Sequence, residues 1–455
     1  MLPVIRITAV LVMAVLFFLS PPLALSVADD LGAFSFGPRF ESLGGSDVES
    51  LIEGDFIAYD INYLERKAEF GQLLHDLARR LTAEQMAGND MACSNQIFLE
   101  AKWLYHYTAD WSRLDRQLRR LEVSLENPNQ EFANRQSPED GSWGVCYDEW
   151  FLKVEATFIA LLALYAESKT PEHPITLGDR VNTPDKLIAY LEGLVISNVA
   201  KTGVDKRSEL GSAATILTSA YFKDYLQTFL AEDVKGIPRN LGEYPVESFK
   251  TAYKQFLEEW QDPETGYWGA WYRSEDIFFK STDLSITYHI VAYRRGDVAH
   301  WPRIIDTTFR IKPEPYPYGW LHNGTYIDHH NYDVAKIFRY GWQHMTEFQK
   351  EKARHEIQKM LNWSLSESLT PDGVFKNNPE FFSSVAADFY FGVSFLDVIG
   401  FWDPSKRFWT DGAFDNASAL CCKIKRRLAA LGLKAQPAQS AIDRLNGSCA
   451  VCPPQ

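Results

Sequence analysis

The feature that most constrains the fold is an alternation between two kinds of long helix. The segment Thr157 to Tyr165, TFIALLALY, is apolar on nearly every side, whereas Glu347 to Leu361 shows one apolar stripe among charged residues. A helix that is apolar all round is buried on every side, and a striped helix faces water. The chain therefore predicts inner and outer helices in succession.

This alternation predicts an all-α fold, an (α/α)6-like toroid of about six inner/outer helix pairs. One pair alone cannot bury its inner helix, but closing the pairs into a ring does so. The predicted inner helices are Cys93 to Thr108, Trp150 to Ala166, Ser212 to Phe222, Asp283 to Tyr293, Asn331 to Gly341 and Val385 to Ile399. The predicted outer helices are Tyr63 to Leu81, Trp111 to Leu125, Pro184 to Val199, Val246 to Trp260, Trp301 to Phe309 and Glu347 to Leu365. Since no linker rich in Gly, Ser or Pro interrupts them, we predict one toroid domain over residues 29–415.

The loops that lead into the inner helices share a Gly turn followed within two residues by an aromatic. They are Glu139 to Gly144, Asp262 to Gly269, Tyr318 to Trp320 and Pro371 to Phe375. The Gly turn reverses the chain, and we expect the aromatic side chain to fill the gap between adjacent helices.

The DG-S-W-G and TG-Y-W-G loops, each followed by an apolar helix such as VEATFIALLALY or STDLSITYHIVAY, resemble repeats of the terpenoid cyclase and protein prenyltransferase α/α toroid superfamily. The resemblance covers roughly Asp140 to Phe401 and implies the toroid architecture. The chain lacks the catalytic motifs of that superfamily. It has no DxDD acid and no run of repeated Gln-Trp motifs. The Asp, Cys and His that hold zinc in prenyltransferases have no counterpart, because Cys146 precedes its helix rather than lying opposite a matching His. Terpenoid cyclisation or prenylation is therefore the least favoured activity.

The N-terminus has the pattern of a signal peptide over residues 1–28. A basic residue in Met1 to Arg6 precedes the apolar run Ile7 to Leu19, and small residues flank Val27 in Ser26-Val27-Ala28. The apolar run is too short to favour a transmembrane helix, although an uncleaved anchor is the alternative. We expect a secreted protein, periplasmic if its source is bacterial, with no membrane span after cleavage.

Charge and cysteine content agree with an exported globular protein. The formal net charge of −14 argues against nucleic acid as a partner, because nucleic-acid binders need a basic surface.

Six cysteines, an even number, predict disulfides. Cys93 and Cys146 begin two successive helices and are candidates to pair. The other four lie in the tail 416–455, which we expect disulfides to staple to the body; a metal or redox site at Cys449 to Cys452 is the less favoured alternative because no His is near.

Four N-x-S/T sequons stand at Asn323, Asn362, Asn416 and Asn446. In a eukaryotic secretory pathway they would be acceptors for glycans, and in a bacterium they would have no such meaning.

An exported α/α ring lined with aromatics is an architecture used by many glycoside hydrolases and polysaccharide lyases, so carbohydrate processing is the leading class. The site is expected in a cup at the N-terminal ends of the inner helices, where the helix dipoles favour acidic ligands. The expected partner is a glycan or another small molecule. A non-catalytic binding or scaffold module with the same cup is the alternative.

The densest polar segment is Tyr326 to Asp333, directly ahead of an apolar helix. A hydrolase needs two carboxyl groups, and a lyase needs a neutralising Asn or Arg with a His or Tyr base. The predicted catalytic residues are Asp283, His330, Asp333 and Asp388. The predicted substrate-binding residues are Glu149, Asp328, His329, Asn331, Tyr332 and Trp320.

Several of these residues also have a structural interpretation. Asn331 or the His pair can cap a helix, Asp333 can be a first-turn acid, and Asp283 can cap the helix that follows it. His289 is expected to be a hydrogen-bonded core residue, and the aromatic residues, Trp320 among them, suit a packed core as well as a sugar ring. No metal and no cofactor is predicted, because adjacent His329 and His330 cannot face one ion from the same helical turn, although His330 with Asp328 could.

Overall fold

A computed structural model describes residues 63–87, 89, 91–107, 111–126, 136–144, 150–166, 169–199, 205–222, 246–274, 277–322, 324–376, 385–433, 436–449 and 452. The predicted signal peptide, residues 1–28, lies outside the described residues.

The described chain is mostly helical, as the sequence predicts. In chain order its α-helices are α1 Tyr63–Met86, α2 Ala92–Tyr107, α3 Trp111–Glu126, α4 Trp150–Ala166, α5 Pro184–Val195, α6 Arg207–Phe222, α7 Val246–Trp260, α8 Leu284–Tyr293, α9 Trp301–Arg310, α10 Asp328–Gly341, α11 Glu347–Trp363, α12 Val385–Val398, α13 Ala417–Leu431 and α14 Gln436–Ser448. Each of the twelve predicted helices is present, and α13 and α14 are two further helices in the tail.

Burial separates the two kinds of helix. Every residue of α8 and of α12 is buried. In α11, by contrast, the buried residues form one stripe, Ala353, Glu356, Ile357, Met360 and Leu361. These helices confirm that an apolar surround marks a fully buried helix and a single stripe marks a partly exposed one.

The inner helices pack in the order of the chain. Helix α4 contacts α6, α6 contacts α8, α8 contacts α10, and α10 contacts α12. The outer helices α9 and α11 both pack on α10. Helices α1 to α3 pack on one another around a core of their own that includes Leu81, Leu114 and Leu121. Consecutive packing is therefore established for five inner helices, and closure of six pairs into a ring stays a prediction.

A small three-stranded sheet joins two of the helix pairs. Its strands are β1 Ile196–Ser197, β2 Trp271–Ser274 and β3 Ile277–Lys280. Strand β1 pairs parallel with β2, placing Ser197 opposite Tyr272, and β2 pairs antiparallel with β3. The predicted helix from Pro184 to Val199 therefore ends at Val195, because the next two residues are extended and join the sheet.

The Gly-aromatic loops close the helix pairs as expected. Gly266 has φ +72° and reverses the chain. The buried Trp268 that follows it donates from its indole N–H to the carbonyl of Leu257 in the preceding outer helix, at 2.8 Å. Trp320 makes the same kind of bond to Thr308, at 2.9 Å. The aromatic ring thus fills the space between helices and satisfies a helical carbonyl.

The cysteine tail is a helical hairpin of α13 and α14. Two disulfides, Cys421–Cys449 and Cys422–Cys452, join its ends. Both disulfides lie within the tail, so the expectation that they staple it to the body is wrong. Helix α14 packs on the inner helix α12, and apolar residues of both hairpin helices belong to the main core.

Cys93 is also disulfide-bonded, and its expected partner Cys146 lies outside the described residues. Of the predicted glycan acceptors, Asn362, Asn416 and Asn446 are exposed, and Asn323 lies outside the described residues. None of the described helices is long and apolar enough to cross a membrane.

Candidate functional site

Asp283 is fully buried at the start of α8, where two different groups bind its carboxylate. One oxygen accepts the N–H of Ile286 at 2.9 Å, which makes Asp283 the N-cap of α8. The guanidinium of Arg207 binds both oxygens, at 2.7 Å and 3.0 Å. The expectation that Asp283 caps its helix is confirmed. The bidentate ion pair adds a charge partner that the sequence analysis did not identify.

Arg207 is the first residue of α6, and its side chain is 3% exposed. Its remaining terminal nitrogen, Nη1, has no hydrogen-bond partner in the described part of the chain. The carboxylate of Asp205 accepts the backbone N–H of Arg207 at 2.9 Å and lies 3.4 Å from the hydroxyl of Tyr272. That hydroxyl lies 3.2 Å from the hydroxyl of Tyr318. Burial raises the pKa values of Asp205, Tyr272 and Tyr318 above their ordinary values.

Asp328 begins α10 and is buried. The hydroxyl of Ser368 donates to its carboxylate at 2.5 Å. Ser368 ends a short π-helical turn, Ser364–Ser368, that continues α11. Burial raises the pKa of Asp328 to about 6, although the hydroxyls of Ser364 and Ser368 oppose the shift.

His329, Asp333 and Tyr316 form a hydrogen-bonded group beside the ion pair. The Tyr316 hydroxyl donates to Asp333 Oδ2 at 3.1 Å and lies 3.2 Å from His329 Nε2. His329 and Asp333 stand one helical turn apart on α10, with His329 Nε2 3.6 Å from Asp333 Oδ2. All three side chains are buried.

The protonation states of this group follow from burial. Burial raises the pKa of Asp333 well above its ordinary value, and the carboxylate of Asp283 raises it further against the opposing Tyr316 bond. Burial also lowers the pKa of His329 well below its ordinary value and raises that of the Tyr316 hydroxyl. At neutral pH His329 is therefore uncharged, and Tyr316 keeps its proton.

His330 and Trp320 lie next to this group. His330 Nδ1 lies 3.1 Å from the Trp320 carbonyl, so it carries the proton and donates it to that oxygen. The ring of His330 stacks on Tyr316, with 4.2 Å between centroids. Trp320 is 0% exposed, so its faces are in contact with protein in this structure. His330 thus positions Tyr316, and Trp320 packs as a core residue.

The other predicted substrate-binding residues differ in environment. Asn331 is 0% exposed, and neither atom of its amide has a hydrogen-bond partner among the residues described. Tyr332 packs edge-on against Tyr288, at 5.5 Å between ring centroids. Glu149 lies outside the described residues.

The two acids of α12 also differ. Asp388 is 6% exposed in the first turn of the helix. Asp397, near its end, accepts hydrogen bonds from Lys406 at 2.7 Å and from Ser448 of the hairpin at 3.0 Å. Lys406 and Ser448 therefore compensate for the burial of the Asp397 side chain.

Two of the capping interpretations for α10 are wrong. Its N-cap is Ile327, which has no side-chain cap, so neither Asn331 nor the His pair caps the helix. Asp333 stands in the second turn rather than the first. The core interpretation of His289 is confirmed, because its Nδ1 lies 2.7 Å from the Ser285 carbonyl of the same helix.

The structure therefore brings Arg207, Asp283, Tyr316, His329 and Asp333 together at the N-terminal ends of three consecutive inner helices, α6, α8 and α10. We call these five residues the Tyr316 cluster. Sequence reasoning identified the two acids and His329 but missed Arg207 and Tyr316. The signal for Arg207 was its position, a charged residue directly ahead of the apolar helix that starts near Ser212. Tyr316 had no signal beyond its place in an aromatic loop.

In the described part of the chain, one group of three or more His, Cys, Asp or Glu side chains lies close enough to share a metal ion, namely Cys422, Cys449 and Cys452. That group contains neither His330 nor Asp328. Comparison of the chain with protein-family models, with curated proteins and with solved structures found no match.

Proposed function

We propose that this chain is a secreted carbohydrate-processing enzyme of the α/α-toroid kind, and that it cleaves acidic polysaccharides by β-elimination, as polysaccharide lyases do. The observation that carries the proposal is the Tyr316 cluster. It joins an uncharged imidazole, a phenol that keeps its proton and a guanidinium at the ends of neighbouring inner helices.

β-Elimination needs three groups. One neutralises the carboxylate of the sugar, a base removes the proton from the carbon beside that carboxylate, and an acid protonates the oxygen that leaves. Arg207 Nη1 and the amide of Asn331 are the candidates for the first task, because both lack partners among the described residues. An unpaired buried polar group costs about 1 to 3 kcal/mol, and a bound carboxylate would remove that cost.

His329 suits the role of base because its low pKa keeps it unprotonated. If its proton is on Nε2, facing the oxygen of Tyr316, then Nδ1 is the nitrogen that accepts a proton. Tyr316 suits the role of acid. As the carbon loses its proton to His329, a double bond forms, the glycosidic C–O bond breaks, and the leaving oxygen takes the proton of Tyr316. No water is consumed.

The hydrolase alternative is less well supported by the geometry. A hydrolase needs a second carboxylate free to act as base or nucleophile. Asp283 stands near Asp333, but Arg207 and the N–H of Ile286 occupy its two oxygens. Asp333 alone, with its raised pKa, could serve as an acid.

The cluster is closed from solvent. Tyr316 is 3% exposed, and Asp283 and Asp333 are 0% exposed. In this conformation a glycan does not reach these side chains. This burial favours the second candidate function, a non-catalytic module in which the cluster stabilises the meeting point of three helices.

The test is to incubate the exported protein with acidic and neutral glycans and to follow both the absorbance of unsaturated uronate and the release of reducing ends. We expect unsaturated product from an acidic glycan. Tyr316→Phe and His329→Gln should each slow it by about 100-fold or more, the usual contribution of a general acid or base. The matched control is Tyr326→Phe, which removes a phenol bonded to Glu356 outside the cluster and should leave the rate unchanged.

Reducing ends without unsaturated product would replace the lyase by a hydrolase. Binding without either product would support the non-catalytic module. Activity that survives in Tyr316→Phe and His329→Gln would place the reaction elsewhere in the molecule.

A further inference from the structure

The four cysteines of the C-terminal hairpin form two disulfides, and three of their sulfurs lie close together. Cys421 and Cys422 are consecutive on α13, and Cys449 and Cys452 follow α14 with two residues between them. The sulfurs of Cys422, Cys449 and Cys452 all lie within 4.8 Å of one another, although they belong to two different disulfides. The fourth sulfur, of Cys421, is bonded to that of Cys449. The two crosslinks are therefore adjacent.

This arrangement is close to that of a four-thiolate zinc site. Zinc binds four Cys sulfurs tetrahedrally at about 2.3 Å, which places the sulfurs about 3.8 Å apart. The three sulfurs that lie within 4.8 Å of one another exceed that spacing by about 1 Å at most, and the two sulfurs of each disulfide must move apart once the bond is reduced. The C-x-x-C spacing at the end of α14 is also the one that structural zinc sites use.

The charge around these sulfurs suits such a site. Four thiolates and one Zn²⁺ carry a net charge of −2. Helix α13 continues from the two cysteines with the basic residues Lys423, Lys425, Arg426 and Arg427. The ammonium of Lys425 already lies 3.3 Å from the carbonyl of Cys449. A dianionic site would therefore have the Lys425 ammonium beside it, whereas Lys423 and Arg427 bind Pro371 and Asp372.

Contacts other than the disulfides also hold the hairpin against α12. Ser448 donates to the buried carboxylate of Asp397 in α12, and Arg444 lies 3.7 Å from the same carboxylate. Cys421, Cys422 and Leu445 are buried in the main core. If the hairpin left α12, it would expose this apolar surface and remove partners of Asp397.

We propose that reduction converts the two disulfides into one closed Zn²⁺ site made by Cys421, Cys422, Cys449 and Cys452, and that the metal then holds the hairpin on α12. Each disulfide takes two electrons and two protons from one external dithiol, which is itself oxidised to a disulfide. The four new thiols release their protons to solvent as they bind the metal. The site is structural, because all four positions of the ion are filled by protein.

The test uses the full exported chain, reduced without oxygen and titrated with Co²⁺ as a spectroscopic substitute for Zn²⁺. We expect one Co²⁺ per chain, with the intense thiolate-to-cobalt band and the visible bands of a tetrahedral site, and displacement of cobalt by Zn²⁺. The oxidised protein should show neither band.

Two variants locate the site. The double variant Cys422→Ser with Cys452→Ser should weaken cobalt binding by on the order of a hundredfold or more. Cys93→Ala, which removes a cysteine outside the hairpin, should bind as the unmodified chain does. Limited proteolysis of the reduced protein should cut the hairpin faster without metal than with Zn²⁺.

Absence of tetrahedral thiolate bands in the reduced chain would overturn the proposal, as would equally tight binding by the double variant. So would cleavage of the hairpin at the same rate with and without Zn²⁺. None of these readouts depends on the proposed carbohydrate activity.

Discussion

The buried ion pair between Arg207 and Asp283 gives the sharpest prediction about stability. The two side chains are 3% and 0% exposed, and two bonds of 2.7 Å and 3.0 Å join them. Removing one partner of a buried pair leaves the other charge uncompensated, at a cost of about 3 to 5 kcal/mol. Asp283→Asn tests this cost cleanly, because Asn caps a helix about as well as Asp does, so the cap of α8 is kept.

We therefore expect Asp283→Asn to lower the free energy of unfolding by about 3 to 5 kcal/mol, and Arg207→Met to lower it by a similar amount. The double variant should recover most of the loss and lie within about 1 to 2 kcal/mol of the unmodified chain, since it leaves no uncompensated buried charge and the introduced Asn keeps the cap. The assay is urea unfolding followed by circular dichroism. The slope of unfolding free energy against urea concentration should be the same for all variants, so that differences in midpoint report differences in stability.

The matched control is Asp115→Asn on α3. Its carboxylate also binds two guanidinium nitrogens, Nε and Nη2 of Arg119, at 2.8 Å and 3.3 Å. Here, however, the side chain of Asp115 is 41% exposed and that of Arg119 is 76% exposed. This change should cost less than about 1 kcal/mol. If the losses of the two buried variants simply add in the double variant, or if Asp283→Asn costs no more than Asp115→Asn, the reasoning about burial is refuted.

Two further predictions test the core around the site. Burial raises the pKa of Asp328 to about 6 from 3.8, so the folded state holds its proton more tightly than the unfolded state does. The resulting destabilisation is absent below pH 4, grows through the window from pH 4 to 6 and reaches about 3 kcal/mol above it. Asp328→Asn should flatten this part of the profile of unfolding free energy against pH, and an unchanged slope would contradict the assignment. Gly392→Ala should destabilise the protein by about 1 to 3 kcal/mol, because the added Cβ would lie 2.1 Å from a ring carbon of Phe375. Gly193→Ala, whose Cβ meets no atom within 4 Å, should instead stabilise helix α5 by about 0.5 to 1 kcal/mol, and thermal unfolding compares the two.

Local pattern was enough to locate the helices but not every boundary. The apolar surround of α12 and the single stripe of α11 are visible in the letters, because helical periodicity depends on residues three and four positions apart. The end of α5 at Val195 was missed, since Ile196 and Ser197 become extended only through pairing with β2, which follows more than 70 residues later. The expectation that disulfides staple the tail to the body was wrong, since both disulfides lie within the tail and the hairpin of α13 and α14 is held by packing against α12.

The candidate site shows the same division. Asp283, His329 and Asp333 stood at predicted helix starts, where polar residues are conspicuous beside apolar runs. That Arg207 meets Asp283, 76 residues away, and that Tyr316 bridges His329 and Asp333 could not be read from spacing. Protonation states also depend on these contacts, because a pKa responds to burial and to charges brought near by folding.

The sequence by itself therefore determined the helical class, the approximate positions of the helices, the Gly-aromatic turns and the presence of crosslinks in the tail. These properties follow from periodicity, turn chemistry and residue type, all of which act over a few neighbouring residues. The tertiary structure alone decided which charges are neutralised, which cysteines pair and which hydroxyl lies beside the imidazole. Those outcomes depend on distances between segments far apart in the chain, and only the packing of the helices sets such distances.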